Sequence, residues 1–170
     1  MALRPTISIS SWTLAVDLEA TRLIQRLSEN PAEGCECQGC VNWRTVGSSV
    51  LPTALAQEFR RVGCTIEFPA DLHVSDTSER QVVYRIVYFA VGKILSGPGA
   101  TIESRQGGGV FYNYQCIREK PWLALLIMRQ RDCHGYCPVF DRRGNSEAIR
   151  LDLRLESPFG TDRSNHSSAT

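Results

Sequence analysis

The sequence has almost no net charge. Its 19 Lys and Arg stand against 18 Asp and Glu, a formal +1 at pH 7. That balance argues against nucleic-acid binding driven by a strong net basic field. Long apolar runs are missing too. The longest, Trp122 to Met128, covers seven residues, where a membrane span needs about 18–20, so no membrane association is expected. The cysteines do not form an even set. There are seven, at positions 35, 37, 40, 64, 116, 133 and 137, whereas a secreted disulfide framework usually pairs an even number in a shorter chain. They are expected to be thiols of a cytoplasmic protein, some buried and some metal-bound. The first residues, Met1 to Val16, alternate polar and apolar side chains and run into Asp17 and Glu19, which suits a strand better than a signal peptide.

Catalytic signatures are equally scarce. His73 has Asp71 and Asp76 for neighbours, but no Ser or Cys in a nucleophile elbow accompanies them, so a surface loop is expected there. Gly107 to Gly109 precede no Lys-Ser/Thr pair and no helix, which makes them a hairpin tip and not a phosphate loop. No carboxylate pair has the spacing of glycosidic or two-metal chemistry. Trp43, Tyr84, Tyr88, Tyr112, Tyr114 and Trp122, with Arg85, Lys93, Arg105, Arg118 and Lys120, give the raw material of a base-stacking platform. Aromatics on strands more often pack in cores, and Glu103 and Glu119 interrupt the basic set. Nucleic acid is not an expected partner.

What is present is the composition of one ordinary globular domain. Of the 170 residues, 42% are apolar and 22% charged, enough to bury a core without staples. Thr6 to Asp17 alternates as a first strand with Ile7, Ile9 and Trp12 inward. Leu18 to Asn30 carries Leu23, Ile24 and Leu27 at helical spacing and stops before Pro31, predicting a short N-terminal helix. Pro31 to Trp43 reads as a loop. Gly47-Ser48-Ser49 offers a cap for the main helix, in which Leu51, Leu55, Phe59 and Val62 form one stripe and Gly63 follows the last turn.

From residue 80 the period is two. Gln81 to Leu95 is apolar on both faces, the mark of a central strand. Thr101 to Arg105 and Val110 to Cys116 predict a hairpin, and Pro121 to Arg131 a further strand. Ile149 to Glu156 alternates as a last strand with one face buried and the other solvated. The expected fold is α+β: a mostly antiparallel sheet of five to six strands with one main and one short helix. It forms a single domain over residues 1–160, followed by a disordered polar tail over 161–170.

The chemically distinctive stretch is Cys35-Glu36-Cys37-Gln38-Gly39-Cys40. Three thiols within six residues suit zinc or an iron–sulfur cluster. Structural zinc normally takes four ligands. A second small cluster, Cys133 and Cys137 with His134 between them, is the candidate source of the rest, with Cys64 another. The metal-ligand set drawn from sequence is therefore Cys35, Cys37, Cys40, Cys133 and Cys137. Inert reduced thiols and thiol redox chemistry stay open, the latter weakened because no thioredoxin-like strand leads into the motif.

Cys35 to Trp43, read as C-x-C-x-x-C-x-N-aromatic, resembles the signature of an uncharacterised family of small bacterial proteins. Leu51-Pro52 through Val62-Gly63, the strand ending Val91-Gly92, and Ser157-Pro158-Phe159 are similar to that family's later elements, so the resemblance spans about residues 35 to 160. Phe89 stands where the family often has a His. The resemblance implies the fold and adds no activity. Two functional classes follow. One is a non-catalytic binding or interaction domain, for instance a toxin-neutralising partner of another protein, whose cysteine loop, with zinc, braces the chain. The other is a metal- or thiol-dependent enzyme using Cys35, Cys37 and Cys40.

Overall fold

The computed structural model describes residues 4–25, 27, 30–77, 81–103, 107–133 and 148–158. The expected tail over 161–170, His134 and Cys137 lie outside the described residues. Among the described residues the chain is a mixed α/β protein with a large antiparallel sheet and three α-helices.

The opening strand is a hairpin. Thr6–Ile9 (β1) and Trp12–Val16 (β2) pair antiparallel with Ile9 opposite Trp12. The chain turns at Ser10, whose φ of +48° is left-handed, while its N–H donates to Glu58 Oε2 at 3.1 Å. Polar–apolar alternation looks the same in one long strand and in two short ones joined by a two-residue turn. Ile7, Ile9 and Trp12 are buried as expected.

Helix α1 is Leu18–Ile24, shorter than expected. Asp17 caps it by accepting from the Ala20 N–H at 2.9 Å. Ile24 points inward, but Leu23 is 62% exposed. The expected loop after Pro31 is half helix: α2 runs Gln38–Val50 and absorbs the Gly47-Ser48-Ser49 that read as a cap. The main helix, α3, is Thr53–Val62, preceded by Pro52 and ended by Gly63 in the left-handed conformation. It buries Leu55, Phe59 and Val62, each contributing roughly 1.5–3 kcal/mol.

Seven strands make the main sheet. The unexpected one is Asp71–Thr77 (β3), in the stretch that read as a polar loop. Gln81–Ser96 (β4) is central, and its long edge serves two partners. Its first half pairs with β3 and its second half with β2. At Gly92 the backbones approach so closely that a Cβ would lie 2.1 Å from the Ala15 carbonyl oxygen. The expected Val110–Cys116 strand divides. Val110–Tyr112 (β6) pairs with Thr101–Glu103 (β5) in a separate two-stranded sheet, and Gln115–Arg118 (β7) joins the main one. Leu123–Arg129 (β8) and Ala148–Pro158 (β9) complete the order β1-β2-β4-β9-β8-β7.

One sheet face, with Tyr84, Ile86, Tyr88, Leu151, Leu153 and Leu155, packs under α2 and α3. Tyr88 stands edge-on to Phe59, centroids 5.3 Å apart, and donates its hydroxyl to the Ile66 carbonyl at 2.6 Å. On the other face α1 covers Val87, Phe89 and Val91. The last strand corrects the expectation of a solvated side, because Arg150 and Asp152 are buried there.

Candidate metal centre

The C-x-C-x-x-C segment straddles the start of α2. Cys37 is the N-cap residue, exposed, and Cys40 lies buried one turn in. The approach is tied down from both sides. The Ala32 N–H donates to the Ala70 carbonyl at 3.2 Å, and Arg44, from within α2, donates to the Cys35 carbonyl at 2.7 Å. Gly39 allows the helix start to sit against β3, since a Cβ there would meet Val74 Cγ2 at 2.7 Å. The following Asn42-Trp43 pair seats the helix on the sheet. Asn42 Nδ2 donates to the Tyr84 hydroxyl at 2.7 Å, and Trp43 Nε1 to the Ile66 carbonyl at 2.8 Å, with the Trp43 and Tyr84 rings 5.8 Å apart.

These anchors bring the Sγ atoms of Cys35, Cys37 and Cys40 within 4.8 Å of one another. Tetrahedral zinc with Zn–S bonds of about 2.3 Å separates its sulfurs by about 3.8 Å. The cluster thus needs a contraction of at most about 1 Å to become three corners of that tetrahedron.

The electrostatics show what three crowded thiols do to one another. The Cys37 thiol is lowered, first by the Cys40 N–H and then by the Cys35 side chain, although its Sγ closes no capping hydrogen bond. The Cys40 thiol is pushed up to about 12 by burial first and then by its two cysteine neighbours. Without a cation, burial and its neighbours disfavour a Cys40 thiolate. A bound metal ion reverses that order, because coordination removes the protons of its thiol ligands.

The other sequence-derived ligands fall elsewhere. Cys133 follows β8 and accepts from the Tyr112 hydroxyl at 3.8 Å. Register places Tyr84, Leu155 and Leu123 in one row and Arg129 six residues further along β8, a separation of about 20 Å. The structure therefore does not bring Cys133 to Cys35, Cys37 and Cys40. Cys64 is buried at the end of α3 and is not part of the cluster. Among the described residues no other Cys, His, Asp or Glu completes it. Cys137 lies outside those residues.

Sequence reasoning missed that the motif opens a helix. The spacing of Cys40, Trp43 and Gly47 (i, i+3, i+7) was the available signal. All three are buried, and a Cβ at Gly47 would strike the Trp43 indole at 2.7 Å.

No family model, no curated protein and no solved structure matches this chain. The resemblance of the cysteine stretch to the small bacterial family therefore gains no support from them.

Proposed function

We propose that this protein is a non-catalytic binding domain in which Cys35, Cys37 and Cys40 hold a thiophilic metal ion, zinc in the first place. The convergence of the three Sγ atoms within 4.8 Å carries the reading. The ion would fasten the 31–37 segment to the start of α2, and through Trp43 to the core. Its fourth position would face solvent beside exposed Cys37, open to water or to a partner's ligand. A protein partner is supported by the β5–β6 hairpin, where Ile102, Val110 and Phe111 are each more than half exposed. The test is metal content by mass spectrometry on protein purified without chelator, with a count of alkylatable thiols. About one zinc per chain, with these three thiols protected, is the expected result. Metal-free protein with all three freely alkylated would remove the proposal.

A second reading is favoured by one observation. Cys37 and Cys40 form a C-x-x-C pair at a helix N-terminus with the first thiol exposed and the second buried, the layout of dithiol oxidoreductases. In that chemistry the Cys37 thiolate attacks a substrate disulfide and expels one thiolate. Cys40 then displaces the second, leaving a Cys37–Cys40 disulfide and a reduced substrate. Disulfide exchange that persists in the presence of a zinc chelator, and is lost in Cys37→Ser, would select this reading over the first.

A further inference from the structure

On the sheet face opposite the cysteine cluster, the strands carry a row of His and Arg side chains. Register sets His73 of β3 opposite Arg85 of β4, and Arg85 opposite Arg154 of β9. Directly opposed residues of antiparallel strands share a face, and like charges there repel unless something lies between them. Two of the three have a carboxylate partner. His73 Nε2 lies 2.9 Å from Asp71 Oδ2. Arg85 donates through Nε and Nη2 to Asp152, the shorter contact being 2.8 Å. Asp152 also accepts from Arg150, at 3.1 and 3.2 Å.

Arg154 has no such partner among the described residues. Its guanidinium stacks on the Tyr114 ring at 4.4 Å, and its Nε is buried without a hydrogen bond, as is the Tyr114 hydroxyl beside it. Glu156, two residues on, spends an oxygen on the Trp122 N–H at 3.4 Å and forms no ion pair with Arg154. Arg85 and Arg150 thus share Asp152, whereas Arg154 forms no ion pair among the described residues. Beside it opens a cavity of about 380 Å³ lined, among the described residues, by His73, Val83, Arg85, Trp122 and Arg154.

We propose that this cavity is a binding site for a small organic anion. A carboxylate or phosphate head would sit between Arg85 and Arg154, and an apolar body would lie against Val83 and Trp122. The planar guanidinium fork matches either head group in two-point contact. A concave site of a few hundred Å³ with apolar walls and a few placed polar groups has the usual character of a small-molecule pocket. The anion would give Arg154 a counter-charge. This inference does not depend on the metal reading, since the two sites lie on opposite faces of the sheet.

The test is a titration of isotopically labelled wild-type protein followed by two-dimensional NMR. Benzoate, phenyl phosphate and inorganic phosphate would be added in turn at constant ionic strength, with chloride as control. Saturable shifts confined to the Arg85 and Arg154 side chains and the Trp122 indole are expected from the aromatic anions, and none from chloride. Tighter binding of benzoate would assign a carboxylate ligand, and tighter binding of phenyl phosphate a phosphate ester. Arg154→Gln should weaken binding at least about tenfold, and Arg154→Lys, which keeps the charge and loses the fork, should weaken it less. Absence of any saturable response in the wild-type protein would overturn the proposal. Unchanged affinity in a folded Arg154→Gln variant would do the same.

Discussion

Arg85 Nη2 lies 2.8 Å from Asp152 Oδ2, and the Asp152 side chain has no exposed surface. The pair joins the central strand to β9 from the face that carries charge, with Arg150 closing on the same oxygen at 3.1 Å. A buried carboxylate between two guanidinium groups is a poor source of net stability compared with well-packed apolar residues. Removing it is another matter, because that takes away the carboxylate shared by half-buried Arg85 and buried Arg150. Asp152→Ala is expected to cost about 3–5 kcal/mol, a fall in Tm on the order of 10 °C for a chain of this size. Thermal unfolding followed by circular dichroism checks it. A drop below about 2 °C would mean that the arginines reach water.

Gly92 makes a second prediction, this time about the backbone. Its hydrogen occupies the space where a Cβ would stand 2.1 Å from the Ala15 carbonyl oxygen. No flexible side chain can yield there, so Gly92→Ala must push β2 away from β4. A loss of roughly 3 kcal/mol is expected, at the upper end for overpacking. Amide exchange would locate the damage in β1 and β2, while β8 and β9 keep their protection.

Elements built on apolar bulk were legible in the sequence, and those built on polar or small residues were not. The stripe of Leu55, Phe59 and Val62 and the two-faced run of β4 announce themselves because large side chains recur at the period of the element. Helix α2 buries only Cys40, Trp43 and Gly47, and its glycines and β-branched residues have low helix propensity. Tertiary contacts, above all Trp43 against Tyr84 and Ile66, impose the helix. In β9, Arg150, Asp152 and Arg154 gave the alternation of a solvated face. A sequence pattern cannot distinguish charges that meet water from charges that meet one another. The candidate metal site was half legible for the same reason. Spacing brought Cys35, Cys37 and Cys40 together, whereas the position of Cys133 is set by a strand direction that spacing does not encode.

Zinc should act on stability as any ligand of the native state does. At a free concentration one hundred times its dissociation constant it adds about 2.7 kcal/mol, or roughly 5–10 °C in Tm. Cys37→Ser, at an exposed cap position, should abolish most of that rise and change the Tm of metal-free protein by little. Cys40→Ser should abolish the rise and also lower the metal-free Tm, because Cys40 is buried. Calorimetric scans with and without zinc separate the two effects. An equal zinc response in all three proteins would place the ion elsewhere.

Alkaline pH offers a further test, made on metal-free protein. Burial raises the Cys64 thiol from 9.0 to about 12, and burial with Asp152 nearby raises the Tyr114 hydroxyl from 10.0 to about 12. In both cases the unfolded chain loses its proton first. The stabilisation is therefore fully present below the unfolded value and drains away as pH climbs towards the folded one. Stability to urea should decline from about pH 9, where Cys64 and Cys40 contribute, and more steeply above pH 10, where Tyr114 joins together with Tyr84, Tyr88 and Tyr112. Cys64→Ala should reduce the slope of the first part of that decline, the remainder being due to Cys40. Tyr114→Phe should leave the first part and reduce the slope of the second, and it also removes a buried hydroxyl that has no hydrogen-bond partner. Denaturation midpoints between pH 7 and 11 for the wild type and both variants decide the matter. A wild-type midpoint that stays level to pH 11 would show that both groups titrate as freely in the fold as in water.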